Sequence, residues 1–308
     1  MFDTDRYLIL LKSERLKRAV KIQSEIIKLS RDFLGSKGFI EILPVIISPI
    51  TDPLTDHRVR GEIECYGFKY QLTKSMIFHK QISLLSIPKI FSFSPNVRIE
   101  PVERQKSGRH LIEFVQLDIE VKEAKREEVM KLCEEMLVYI SEKIKSEYST
   151  DLEFFGRELK IPRIPFEKIS YEEAISAYGQ EYETKLSSDI LEPIWLVDFP
   201  IDNREFYDRE YPDRPGYLID MDLIYPEGFG EALSGGEREF EYEKIKRRIE
   251  LKGIELEVYD IYLQFAKRGL YPSAGFGIGI ERLTRYICGL KNLEECRLFA
   301  KLPGVLGL

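Results

Sequence analysis

Gly275, Gly277 and Gly279 alternate with Phe276, Ile278 and Ile280 near the end of the chain, and this stretch constrains the fold more than any other. Successive residues of a β-strand point to opposite faces, so the spacing predicts a strand with one apolar face and one face without side chains. A bare face has two readings: close packing against another backbone, or a platform for a flat ligand. Glu281-Arg282 follows at once and opens a helix predicted from Glu281 to about Leu290. An arginine in the first turn of a helix opposes the macrodipole and needs an anion or a π-face to justify it. That neighbour tips the reading toward a ligand.

Two more strands follow from strict alternation. In Phe91–Glu100, Phe91, Phe93, Val97 and Ile99 share one face, and Asn96, Arg98 and Glu100 share the other. In Phe114–Val121, Val115, Leu117, Ile119 and Val121 point inward, while Phe114, Gln116, Asp118 and Glu120 point outward. The charged loop between them is short enough for an antiparallel hairpin. An amphipathic helix is predicted over Glu14–Leu34, and a second carries Val129, Cys133, Met136, Leu137, Ile140 and Ile144 on one side. Phe39–Ile47 reads as a buried strand interrupted by Pro44, the segment from Pro49 to Gly61 as loop, and Phe68–Leu72 as strand. Strands return at Trp195–Phe199 and Leu218–Ile224. No linker rich in Gly, Ser or Pro divides the chain, so residues 1–308 are expected to form a single domain. A partly helical insertion, centred on Tyr171–Ala177, is expected within it over 146–193.

With 44% hydrophobic and 32% charged residues, the chain has the composition of a globular protein with a large core. No apolar run reaches the roughly 18 residues a membrane span needs, so no membrane is expected and a cytoplasmic location is. The four cysteines lack the spacing of a zinc site or a disulfide scaffold. A net charge of −7 gives no broad positive field for nucleic acid, although a local basic patch would be hidden in that total. Asp220, Asp222, Glu227 and Glu231 form a carboxylate series leading into Gly235-Gly236 and Arg238, and hard oxygen ligands of this kind suit magnesium. His57, His79 and His110 are far apart and show no metal spacing. A Walker-type phosphate loop is absent, so any ATP chemistry needs another scaffold.

These residues together resemble a known family, the class II aminoacyl-tRNA synthetases of the aspartyl and asparaginyl subgroup. The helix leading into Gly38-Phe39-Ile40-Glu41-Ile42-Leu43-Pro44 resembles the first class motif, whose family role is a dimer interface. Phe93–Glu100 with Arg109–Phe114 is similar to the second motif, and Gly275–Leu283 to the third. Pro226–Glu231 with Gly235–Arg238 looks like the asparaginyl branch. The resemblance implies an α+β fold, a class II catalytic core with an antiparallel sheet flanked by helices, and ATP held bent on that sheet. Carried over by position, Arg98 would contact the α-phosphate and share the catalytic role with Arg282. Phe114 and Arg282 would sandwich the adenine, and Glu100, Arg109, His110, Glu231 and Gly279 would complete the ATP site. Asp222 and Glu231 would hold Mg2+, while Lys80 and Arg238 would grip a carboxylate of aspartate. The family implies a homodimer through the segment around Pro44.

Departures from the pattern concern the amino acid, not ATP. Lys74 stands where a glutamine is usual beside the amino-acid pocket, and Ser273 where a histidine is usual. The core is expected to stand without the anticodon-binding barrel that precedes it in the family. The chain therefore resembles the archaeal asparagine synthetases related to asparaginyl-tRNA synthetase, and the expectation is an ammonia-dependent, AMP-forming ligase acting on free aspartate. In that chemistry the β-carboxylate attacks the α-phosphate, Lys80, Arg238 and Lys74 surround the substrate, and Asp52 or Asp118 receives its ammonium group. Free ammonia is expected as nitrogen source, because residue 2 is Phe2, no cysteine nucleophile of a glutaminase is in view, and tRNA is not expected as a partner. Two rival expectations stand beside it: a trimmed synthetase charging tRNA or another acceptor, and a non-catalytic amino-acid sensor.

Overall fold

The structure is a computed structural model that describes residues 4–54 and 61–308, so His57 lies outside the described residues. The chain opens with α1 (Thr4–Lys12) and α2 (Glu14–Ser36), then β1 (Ile40–Glu41), β2 (Ile47–Ser48), β3 (Glu62–Cys65), β4 (Phe68–Leu72) and α3 (Ile77–Ser83). The predicted hairpin is β5 (Lys89–Val97) and β6 (Glu113–Lys122), followed by α4 (Arg126–Glu147). Next come α5 (Ser149–Phe155), β7 (Glu167–Ser170), α6 (Tyr171–Tyr178), α7 (Tyr182–Asp189) and β8 (Ile194–Val197). The chain ends through β9 (Asp220–Tyr225), β10 (Gly230–Arg238), α8 (Tyr242–Leu251), α9 (Asp260–Gly269), β11 (Ser273–Gly279) and α10 (Ile280–Cys288).

Among the described residues the main sheet has eight strands in the order β1-β5-β6-β11-β10-β9-β8-β7. The six inner strands run antiparallel, as expected, but β1 joins β5 and β7 joins β8 in parallel, so the whole sheet is mixed. The segment 146–193 thus contributes more than helices, since its β7 forms one edge of the sheet and its Ala174 and Leu186 pack with Ile194 and Leu196. One sheet face is apolar: Leu117, Ile119, Phe276, Ile278, Leu223 and Leu233 pack against Ile22 and Ile26 of α2 and Val129, Cys133 and Ile140 of α4. Burying such faces from both elements is the main source of stability here. Ser13 caps α2 by accepting from Leu16 N, which sets where that helix starts.

Three expectations need correction. The segment 39–47 is not a buried strand: only Ile40–Glu41 and Ile47–Ser48 are extended in sheets, and Leu43 is 89% exposed. Pro44 cannot donate to a ladder, and among the described residues no strand pairs with the far side of β1, which leaves it at an edge. Strand β5 ends at Val97, so Arg98 and Glu100 lie beyond it, although one more ladder bond runs from Arg98 N to Ile112 O; Ile99 turns out to solvent. The face of β6 read as outward is buried too, with Asp118 and Glu120 almost without solvent contact. A polar face that is covered is where a site is built.

Candidate active site

That second face of the sheet is covered by a smaller core in which Phe78 of α3 packs against Phe206, Tyr259 and Tyr262. α3 thereby presents Lys80 to the polar face, and the segment after β8 presents Arg204, Tyr207 and Asp208. Between them lies a cavity of about 300 Å³, lined by Asp52, Lys80, Asp118, Asp208 and Arg238 among others. It is floored by a buried ion network. Lys80 Nζ lies 2.9 Å from Asp118 Oδ1 and 3.7 Å from Glu120 Oε2. Arg238 donates to Asp208 (3.0 Å), Glu120 (3.3 Å) and the Gly275 carbonyl (2.9 Å). Burial disfavours the charge of Arg238, but Glu120 and Asp208 raise its pKa.

A second, narrower recess of about 50 Å³ adjoins the first and is lined by Glu100, Arg109, His110, Phe114, Gly279 and Arg282. Arg98, Gln116, Glu231 and Gly277 line both spaces. The anion demanded by an arginine at the start of α10 is Glu231, 3.0 Å from Arg282. Partial burial works against the Glu231 carboxylate, yet Arg282, Arg109, Arg204 and Arg98 outweigh it and lower its pKa. Burial, reinforced by Arg282, Arg104 and Arg109, drives His110 down to about 3, so its ring is neutral near pH 7 and its Nδ1 pairs with Ser107 Oγ at 2.7 Å. Arg109 is ion-paired to Glu183 of α7, and Glu100 to Arg104.

The profile of tRNA synthetases class II (D, K and N) matches residues 3–303. The chain belongs to this family. An asparagine–tRNA ligase of Desulforamulus reducens is 29% identical over 310 residues, spanning 96% of this chain and 71% of that protein. An asparaginyl-tRNA synthetase of Pyrococcus horikoshii, solved with asparaginyl-adenylate, has a TM-score of 0.89 at 25% identity over 98% of this chain and 72% of that one. An aspartyl tRNA synthetase of Entamoeba histolytica has a TM-score of 0.79 at 26% identity, over 100% of this chain and 64% of that one. The mixed sheet flanked by helices is the class II synthetase core.

Within this class II core the residues assigned to a site from sequence line the cavity or the recess, except Lys74, Asp222 and, in the carboxylate series, Asp220 and Glu227. Lys74 does not line the cavity: its Nζ donates to Pro53 O and its backbone N to Thr51 Oγ1, so it braces the segment that carries Asp52. Phe114 is not bare, because the Arg98 guanidinium lies over its ring at 5.0 Å while Arg98 Nε donates to Lys74 O at 3.2 Å. Asp222 and Glu231 lie on adjacent strands, but Asp222 is paired to Arg204 at 2.7 Å. Burial, with Glu231 adding to it and Arg204 opposing, lifts Asp222 to about 6. Its buried Oδ1 accepts no hydrogen bond among the described residues. Two carboxylates with an unspent oxygen fit magnesium, which takes its other ligands from phosphate and water. Glu120, Asp208, Arg204 and Tyr207 are functional candidates that sequence reasoning passed over. Glu120 was open to it, sharing a strand face with Asp118. The other three sit in an irregular segment without periodicity.

Proposed function

We propose that this chain adenylates aspartate with ATP and releases asparagine when ammonia displaces AMP. The observation that carries the reading is the buried floor of Lys80, Arg238, Asp118, Glu120 and Asp208, set beside the recess of Phe114 and Arg282 and joined to it through Arg98. Alternating buried cations and anions match a small zwitterion with two carboxylates. Among the described residues Arg238 makes three hydrogen bonds and Lys80 two, so both cations retain N–H donors for a substrate carboxylate. In this reading the β-carboxylate attacks the α-phosphorus, pyrophosphate leaves, and Lys80 and Arg238 hold the α-carboxylate. Arg98 stabilises charge developing on the phosphoryl oxygens, as a preorganised guanidinium does. Phe114 and Arg282 hold the adenine, with Glu100, Arg109, neutral His110 and Gly279 around it. Asp222 and Glu231 would hold magnesium, which when bound neutralises polyphosphate charge.

Four free cysteines, three of them buried, accord with a cytoplasmic setting for this ligase. The exposed Ile40, Leu43 and Ile46 support a homodimer through the segment around Pro44. A second reading draws on the relatives: those named asparagine–tRNA ligases match along nearly the whole chain, which favours transfer of an amino acid to tRNA from the same site.

Incubation with aspartate, ATP, magnesium and ammonium separates them. Asparagine, AMP and pyrophosphate should appear in equal amounts, and total tRNA should remain uncharged. Pyrophosphate exchange should favour aspartate over asparagine by at least about tenfold, since an uncharged amide leaves buried cations less well paired. A preference for asparagine, with labelled amino acid on tRNA, would establish the second reading instead.

A further inference from the structure

Two carboxylates from separate parts of the chain line the larger cavity, each with a buried oxygen that accepts no hydrogen bond among the described residues: Oδ2 of Asp118 on β6, and Oδ1 of Asp52 in the segment after β2. Asp52 is 3% exposed, and its Oδ2 accepts the Tyr207 hydroxyl at 2.9 Å. Its neighbours are pinned on both sides, Thr51 O by the Tyr259 hydroxyl and Pro53 O by Lys74 Nζ. A carboxylate fixed this firmly, with an acceptor left unmade in a cavity wall, is costly unless a ligand supplies the donor. The groups that act on it are Arg98, Tyr207, Asp208 and Lys74. Arg98 belongs to both spaces, which puts Asp52 near their junction, whereas Asp118 belongs to the floor with Lys80.

A ligase that transfers an amino acid to a hydroxyl handles one cationic nitrogen, the amino group of its substrate. Amide formation handles two. We propose that Asp52 binds the ammonium ion and accepts its proton, while Asp118 receives the amino group of aspartate. The assignment rests on the reading given above. In the step, one N–H bond of ammonium breaks and its proton passes to Asp52 Oδ1. The freed lone pair forms a C–N bond at the acyl carbon of aspartyl-adenylate. The C–O bond to AMP then breaks, AMP leaves with the electron pair, and the amide nitrogen loses its surplus proton to solvent. Burial raises the pKa of Asp52, with Arg98 and the Tyr207 hydrogen bond opposing, which makes this carboxylate a better base than one in water.

The test compares wild type with Asp52→Asn in three assays: aspartate-dependent pyrophosphate exchange, asparagine formation from ammonium chloride, and hydroxamate formation from hydroxylamine, which is largely uncharged at neutral pH. The ratio of ammonium-dependent synthesis to exchange should fall by on the order of a hundredfold, the usual effect of losing a general base. The ratio of hydroxamate formation to exchange should move far less, because that nucleophile needs no deprotonation before attack. Asp118→Asn should instead lower exchange itself. If Asp52→Asn lowers all three activities in proportion, the residue serves aspartate or the fold and the inference is wrong while the proposed function stands. A wild-type protein that exchanges pyrophosphate with aspartate yet makes no asparagine removes both together.

Discussion

Arg98 bridges three structures: its guanidinium lies over the Phe114 ring, its Nε donates to the Lys74 carbonyl, and it lines both the cavity and the recess. An adenine lying on that face of Phe114 requires the guanidinium to leave it, and the shared wall leads it toward the phosphates. Arg282, by contrast, is already held by Glu231 at 3.0 Å. Both arginines sit outside the apolar core, so their loss should spare the fold. Arg98→Ala and Arg282→Ala should each lower pyrophosphate exchange by about 10²–10³, the range for removing one charge-stabilising donor. Circular dichroism and melting curves should stay close to wild type for Arg98→Ala, with a modest loss for Arg282→Ala because Glu231 loses its partner. Near-normal exchange in either variant would remove that residue from the nucleotide site.

At the scale of elements, β11 resolves the ambiguity of its own glycines, and both readings hold at different positions. A Cβ on Gly275 would lie 2.1 Å from Ile119 O, inside the neighbouring backbone, which is close packing. A Cβ on Gly277 would lie 3.0 Å from Asp118 Oδ1 and 3.1 Å from Gln116 Nε2, on the wall between cavity and recess. Gly275→Ala should therefore fail to give folded protein, whereas Gly277→Ala should fold and raise the KM for ATP and aspartate in pyrophosphate exchange. The reverse pattern would contradict this division. The alternation that disclosed β5, β6 and β11 is legible because each has one apolar face against α2 and α4. Strand β10 hides behind Gly230, Gly235 and Gly236, two of which have positive φ, and without side chains there is no period to read. α8 and α9, with their apolar spacings Ile245–Ile249 and Tyr262–Ala266, were not among the helices expected from sequence. Arg204, Tyr207 and Asp208 were beyond reach for a different reason: their placement depends on Phe206 burying itself against Phe78, a contact between distant segments.

Across the whole molecule, one surface stands out against the buried site. Leu43 at 89%, Ile46 at 55% and Ile40 at 51% exposure follow one another along the segment that starts at β1, the open edge of the main sheet, where Arg31 of α2 salt-bridges to Glu41. Large apolar side chains grouped in this way mark an interface more often than a solvated edge. A symmetric dimer would bury about 1,200 Å² or more in total if it is stable. Its effect would reach the site through short connections, because Ile42 N bonds Phe91 O on β5 and Thr73 N bonds Ile46 O beside Lys74. Lys74 in turn holds the Thr51–Pro53 segment that carries Asp52. Leu43→Asp should therefore shift the protein from dimer to monomer by light scattering, and the monomer should make asparagine more slowly at saturating ATP. Wild type running as a monomer at micromolar concentration would discard the interface, and a monomeric variant with undiminished synthesis would discard its link to Asp52.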